Sequence, residues 1–244
     1  MSINREFVTK SYNNMNIVEG YLDANNKYGL SVPEFTIISK YVNYDDKIID
    51  IGCGVGRVGF GLYENGYKKV TGIDISKEMI KEAKKINDIK QFELTLEVQD
   101  ILDLKYQDRT FNSALAFHAI TPIPKSDNRR KALLEIQRIL NNDSYIILST
   151  FLRELRDDDF WINEEYVWKN NLQDKRLHDF GDILGNKNGV EIFIHIPSGI
   201  EFINLLEESG YKLLEEFLWT DLVDKNCEVS SAQKCKYWIA KAKK

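Results

Sequence analysis

The stretch Ile48–Leu62, IIDIGCGVGRVGFGL, sets four glycines (52, 54, 56 and 59) in eight residues directly behind an apolar run. Glycine suits turns of positive φ and close backbone approach to a ligand, so a strand, a sharp turn and a helix are expected here in that order. Two overlapping patterns run through the stretch. From Gly54, the residues Gly54-Val55-Gly56-Arg57-Val58-Gly59 match G-x-G-x-x-G, the fingerprint of a dinucleotide pocket. From Asp50, they read D-x-G-x-G-x-G, with an acid inside the strand two residues before the first glycine. A buried carboxylate without a partner is costly, so an acid at that depth implies one.

Further strands read outward from this point: KIIDI (47–51), KKVTGIDI (68–75), FELTLEV (92–98), SALAF (113–117) and YIILSTF (145–151). Several are too continuously apolar to be half solvated, as in a buried parallel sheet. Helical patterns separate them: GRVGFGLYENG ending at Gly66, SKEMIKEAKKI opening on a Ser76 cap, and NRRKALLEIQRIL. This alternation predicts a doubly wound α/β sheet. Upstream, SVPEFTIISKYV has Ser31 as a cap, with Pro33 and Glu34 in the first turn. After Phe151 the rhythm breaks into an aromatic and acidic region with a turn at NKNG (186–189) between two strand-like pieces. Regular pattern returns with SGIEFINLLEESG, YKLLEEFLW and KYWIAKAK, the last two pairing as an antiparallel hairpin.

The 244 residues read as one domain over 1–244, with a helical segment at 1–45 and an insertion at 152–198. With 43% hydrophobic and 29% charged residues and 4 prolines, the chain is expected to fold nearly end to end. Its 33 basic and 38 acidic side chains give a charge of -5, which lacks a polyanion-binding footprint and disfavours nucleic acid as a partner. Cys53, Cys227 and Cys235 are odd in number without C-x-x-C spacing, so neither a disulfide framework nor a metal site is expected. The segment MSINREFVTKSYNN lacks the apolar core of a signal peptide, and no window reaches the roughly 18 apolar residues of a membrane span. A cytoplasmic protein without membrane contact is the expectation.

Three features decide between the glycine patterns. Asp50 occupies a strand position where a dinucleotide fold usually has an apolar residue. Asp100 follows the third strand, placed for an exocyclic amine, whereas Asp74, which ends the second and is placed to accept two hydrogen bonds from a ribose diol, suits both patterns. The late antiparallel pair completes the sheet. Together these residues resemble the class I S-adenosylmethionine-dependent methyltransferases, in particular the type 11/12-like small-molecule subgroup, from about Val32 to the C-terminus.

The resemblance implies a mostly parallel seven-stranded sheet with helices on both faces and a C-terminal antiparallel hairpin. It implies S-adenosylmethionine as cofactor, with S-adenosylhomocysteine as product. Its glycine turn, here Gly52, Cys53, Gly54, Gly56 and Arg57, would wrap the methionine part, and Asp50 would hold the ammonium. Asp74 would grip the ribose, Ile75 and Met79 would flank the adenine, Asp100 and Ile101 would stand by its amine side, and Phe117 would lie near the sulfonium. Val55, and NND (141–143) in place of the usual proline-glycine turn, depart from the pattern. For Arg57 an exposed helix position remains open, and for Asp100 a plain helix cap. Cys53 reads as a small packing residue, not a nucleophile.

No catalytic residue is obligatory in such a reaction, and His118, at the end of the fourth strand, is the candidate. Tyr12, His118, Trp161 and His195 are candidates for the acceptor pocket. The 1–45 segment is expected over the cofactor cleft, and 152–198, with Phe160, Trp161, Tyr166 and Trp168, as a substrate lid. The function expected is methyl transfer to an O, N or C atom of a small molecule by in-line displacement. A tRNA-modifying methyltransferase and a non-catalytic cofactor-binding module are the alternatives.

Overall fold

The computed structural model of the chain describes residues 3–156, 158–223 and 235–243; Cys227 lies outside them. The glycine stretch folds as its pattern requires. Strand β1 (Ile48–Ile51) runs into a turn in which Gly52, Gly54 and Gly56 have φ of 68°, 55° and 94°, and helix α4 (Arg57–Glu64) leaves it. L side chains rarely adopt these angles, so the turn depends on glycine.

Strands β2 (Val70–Asp74) and β3 (Thr95–Val98) lie to one side of β1, and β4 (Phe111–Phe117) and β5 (Leu140–Phe151) to the other. After them, β8 (Tyr211–Leu218) and β9 (Cys235–Ala242) form the antiparallel hairpin, with β9 inserted beside β5. The sheet order is β3-β2-β1-β4-β5-β9-β8, parallel as far as β5. This is the expected seven-stranded, mostly parallel architecture. Strand order reverses between β1 and β4, and in open α/β sheets such a switch point opens a crevice at the carboxyl ends of the strands.

Alternate residues of each strand feed opposite layers. Ile49, Ile51, Ala114, Ala116, Ile146 and Leu148 pack against α6 (Ser126–Ile139) and α8 (Gly199–Glu208). Ile48, Leu115 and Ile147 pack against α3 (Val32–Tyr41), α4 and α5 (Lys77–Ile89). Ser31 caps α3 in a reciprocal box with Glu34, Ser76 caps α5, and Ser198 caps α8 in a second box with Glu201. Strand β3 begins three residues later than the pattern suggested, and the Phe92 ring ahead of it packs against Tyr63 and Phe60 (centroids 4.7 and 5.9 Å). At NND the chain passes directly from α6 into β5, with Asp143 at φ 63°.

Helices α1 (Arg5–Tyr12) and α2 (Met15–Tyr28) precede α3. Between β5 and α8 stand α7 (Asp158–Lys169) and a separate hairpin of β6 (Asp182–Lys187) and β7 (Val190–His195). Asn188 and Gly189 turn the hairpin at φ 54° and 80°, the pattern of a type I′ turn. Among the described residues, no helix is long and apolar enough to cross a membrane.

Gly61 shows how closely α4 is seated. A Cβ there would stand 2.3 Å from Leu30 Cβ and 3.3 Å from Leu30 Cα. Replacing glycine by alanine inside a helix gains about 1 kcal/mol in propensity, whereas overpacking a tight contact costs about 1–3 kcal/mol. Gly61→Ala is therefore expected to be destabilising, with a lower urea midpoint and an unchanged slope.

Candidate active site

The crevice at the switch point is a cavity of about 340 Å³, within the size of small-molecule pockets. The structure brings most of the expected residues to its walls: Asp50, Gly52, Cys53, Gly54 and Arg57 from the turn, and Asp74, Ile75 and Met79 from the second motif. Ile101, Phe117, His118 and Tyr12 also line it. Gly56 lies behind the wall against the Phe60 ring. Asp100, Trp161 and His195 are not among the lining residues.

Asp50 carries the most informative electrostatics. It is 3% exposed, and its Oδ2 has no hydrogen-bond partner. Burial raises its carboxyl from an ordinary 3.8 to about 7, against the opposing pull of the Arg57 charge. Arg57 is already committed elsewhere. It donates to Glu34 through Nη1 and Nη2 at 2.7 and 2.6 Å, and Nη1 also donates to the Gly29 carbonyl at 2.7 Å. Burial works to raise the Glu34 carboxyl, but the Arg57 hydrogen bonds and charge outweigh it and hold the group below its usual range. Two buried acids thus share one cation, which hydrogen-bonds to Glu34 and reaches Asp50 only through its charge; the Gly59 N–H also eases Asp50, whose Oδ2 is left without a hydrogen-bond partner.

Asp74 is held rigidly. Its Oδ2 accepts from the Gly54 N–H at 3.0 Å and its Oδ1 from the Ser76 N–H at 2.8 Å, leaving further lone pairs toward the cleft. Burial raises this carboxyl, and those two amides oppose the rise. Tyr12 stands on the Asp74 side: burial, then the charges of Tyr21 and Asp74, push its hydroxyl well above the ordinary value. The Cys53 thiol is likewise raised by burial, and the side chain packs across Gly72, as expected of a filler and not of a nucleophile.

Asp100 is occupied. Arg5 reaches it through Nη2 at 2.5 Å and Nε at 3.4 Å, and the Leu102 N–H donates to its Oδ1 at 3.0 Å. Arg5 and Gln99 line the cavity near it. At the other end, His118 has φ 54° and stacks on Phe151 (centroids 4.3 Å, 24°). Desolvation in the cleft lowers its imidazole to about 4, and Nδ1 is buried without a partner.

The cleft is roofed by the N-terminal helices. The Ser76 hydroxyl donates to the Tyr12 carbonyl and to Asn13 Oδ1, each at 2.9 Å. The Ser11 hydroxyl donates to the Glu191 carbonyl at 2.9 Å, and Asn16 and Asn188 exchange two side-chain-to-backbone bonds (3.2 and 2.9 Å). Ile17 and Val18 pack with Val55 and Met79, while Phe7 and Val8 pack with Phe193 of β7. The α7 aromatics are directed elsewhere: Trp161 and Trp168 meet Phe180 edge-on, each at 6.1 Å, and Phe160 and Tyr166 are exposed.

His195 belongs to a buried ionic cluster beside a second cavity of about 190 Å³. Its Nδ1 faces Asp182 Oδ1 at 2.8 Å and its Nε2 faces Glu201 Oε1 at 2.7 Å, with Arg153 on Glu201 (3.0 Å) and Arg129 on Asp179 (2.8 Å). The cleft residues that pattern reading did not single out include Arg5, Gln99, Phe151 and Lys187. Three of these had no local signal; Phe151, at the carboxyl end of β5, could have been inferred from the switch-point rule.

The methyltransferase domain family profile matches residues 43–191. The chain is 27% identical over 179 residues to O-methyltransferase resE of Aspergillus sclerotiorum, covering 72% of this chain and 58% of that one. It is 26% identical over 113 residues to the human eEF1A lysine and N-terminal methyltransferase, covering 46% of this chain and 16% of that one. The chain therefore spans less than two thirds of either relative. An S-adenosylmethionine-dependent methyltransferase structure from Methanosarcina mazei superposes with a TM-score of 0.69 at 22% identity, over 85% of this chain and 97% of that one. The glycine turn at the switch point, the sheet order and the matched profile agree: the chain belongs to the methyltransferase domain family and has the class I S-adenosylmethionine-dependent methyltransferase fold.

Proposed function

We propose that the protein is an S-adenosylmethionine-dependent methyltransferase acting on a small organic molecule, with oxygen as the favoured acceptor atom. The observation that carries the cofactor reading is the orphaned Asp50 carboxylate. It lacks one cation, and the ammonium of the methionine end supplies a cation with N–H donors, which a pyrophosphate does not. The amide-fixed Asp74 suits a ribose diol, and the positive-φ glycines between the two acids leave room for the chain connecting them. Ile75, Met79 and Ile101 offer apolar walls to a base. In this arrangement Arg57 acts through Glu34 and Asp50 and makes no direct contact, and Asp100 serves to hold Arg5 at the rim.

When bound, the cofactor supplies a methyl group activated on a sulfonium, which a nucleophile displaces in line. The chain's part is to orient and to exclude water, which contributes up to about 7–11 kcal/mol in favourable cases. Phe117 and His118 close the floor at the reacting end. The helices of 1–45 and the hairpin within 152–198 act as the lid, bound to each other through Ser11, Asn16 and Asn188. This closure supports a small acceptor over a polypeptide or RNA, as does the charge of -5. The fungal O-methyltransferase relative favours oxygen.

S-adenosylhomocysteine is expected to raise the melting temperature, because a ligand that binds only the folded state stabilises it. NADH is expected not to; stabilisation by NADH alone would reverse the reading. Asp74→Ala removes charge-assisted hydrogen bonds worth about 1.5–3 kcal/mol, so calorimetry is expected to show about ten- to a hundredfold weaker S-adenosylhomocysteine binding.

Asp50 has a distinct pH signature. Its folded-state value is raised, so the stability associated with its protonated form is fully present below about pH 4 and is lost as pH rises through about 7. Asp50→Asn escapes that loss. The unliganded variant is expected to melt higher than the parent by a margin that grows from pH 5 to pH 8, while binding S-adenosylhomocysteine more weakly. A margin independent of pH would show that Asp50 is not the strained group.

A further inference from the structure

Glu34 is a buried acid set behind the wall of the cofactor cleft. At the third position of α3 it is 6% exposed, and its Oε2 accepts from the Ser31 N–H at 2.9 Å and the Ser31 hydroxyl at 2.8 Å. Glutamine closes such a capping box as glutamate does, so the cap accounts for the position of this side chain more than for its charge. The charge is matched by Arg57, which enters from α4 with both Nη atoms on the Glu34 carboxylate and Nη1 also on the Gly29 carbonyl. Arg57 lines the cleft, and Glu34 does not. Both charges nevertheless reach Asp50, in opposite senses: Arg57 favours its ionised form and Glu34 disfavours it. They oppose each other at His118 too.

Resting on the S-adenosylmethionine reading of the cleft, we propose that Glu34 is a positioning residue that sets specificity for a cationic cofactor end, cancelling the Arg57 charge so that Asp50 is left to the ammonium. When ionised, Asp50, Glu34 and Arg57 together carry one surplus negative charge, and an ammonium beside Asp50 completes the balance. With Glu34 neutral, Arg57 would complete it instead, and the ammonium would enter a neutral site with a cation in its wall. At the low effective dielectric of a buried site, one unit of charge weighs heavily on a second. The arrangement is fixed before a ligand arrives, because the Ser31 cap holds one partner and the Gly29 carbonyl the other. The same cancellation leaves Arg57 little charge to offer the ligand's carboxylate.

The test compares S-adenosylhomocysteine with its deaminated analogue, which keeps the carboxylate and lacks the ammonium, by calorimetry at about pH 8, where Asp50 is mostly ionised. The parent is expected to prefer S-adenosylhomocysteine about tenfold or more. Glu34→Gln keeps an acceptor for the Ser31 cap and is expected to remove most of that preference, weakening S-adenosylhomocysteine while the deaminated analogue binds as well as before or better. A purely structural role for Glu34 would weaken both ligands alike and leave their ratio intact. Removing both charges together, in Glu34→Gln with Arg57→Met, is expected to restore the parent's ratio and to leave the deaminated analogue at its parental affinity. This double variant carries the test if the single one does not fold. A deaminated analogue weakened about tenfold there would show the Arg57 charge open to the ligand's carboxylate, and would overturn the assignment. A ratio unchanged in Glu34→Gln overturns it as well. Equal binding of the two ligands by the parent removes the ammonium from Asp50 and ends this inference, with S-adenosylhomocysteine still a ligand. Failure of S-adenosylhomocysteine to bind at all overturns the cofactor reading itself.

Discussion

The architecture of the cleft turns on one unmatched charge. Asp50 lies at the inner end of the glycine turn, buried by the same packing that makes β1 a central strand. Arg57, the cation whose charge reaches Asp50, gives its hydrogen bonds to Glu34, whose own position is fixed by the α3 capping box. An unpaired buried ion costs several kcal/mol, a large share of the 5–15 kcal/mol that stabilises a typical domain. Packing alone would favour an apolar residue at this position. Its cost is recovered only in a complex that brings a positive group, so the unliganded protein is held in readiness at the expense of stability.

Around that charge the two ends of the cleft differ in character. Near Asp50 and Asp74 the walls are acidic, amide-rich and fixed by backbone hydrogen bonds. Near His118 they are aromatic, with Phe117 and Phe151. The first end is built from consecutive residues of one βαβ unit. The second draws on the carboxyl ends of β4 and β5 and the loop after β4. On the proposed function, such a division lets a constant cofactor end coexist with an acceptor end assembled from separate elements.

The same division explains what the amino-acid sequence made legible. The turn, the caps at Ser31 and Ser76, and the hairpin turn at Asn188-Gly189 are local devices whose residue types follow from φ angles and orphan N–H groups, so they can be read directly. The alternation of apolar strands with helices and the late antiparallel pair were legible from hydrophobic pattern. The partners of charged side chains were not, because Glu34 with Arg57 and Arg5 with Asp100 meet only through tertiary packing, 23 and 95 residues apart. Nor did aromatic richness reveal direction: Trp161 and Trp168 satisfy their apolar surface against Phe180, while the inconspicuous Lys187 reaches the cavity. His195, read as a pocket candidate, is instead enclosed by Asp182 and Glu201 beside a different cavity.

The roof bonds also bear on how the molecule comes together. Ser11 meets Glu191 across 180 positions of chain, and Asn16 meets Asn188 across 172. Loop-closure entropy must be offset before contacts of such separation contribute. During synthesis the first helices emerge early, yet the hairpin they dock against is made only after the parallel core has been translated. The core can therefore assemble while the ligand chamber is still open on one side, and enclosure of the chamber becomes a late event in the life of each newly made chain.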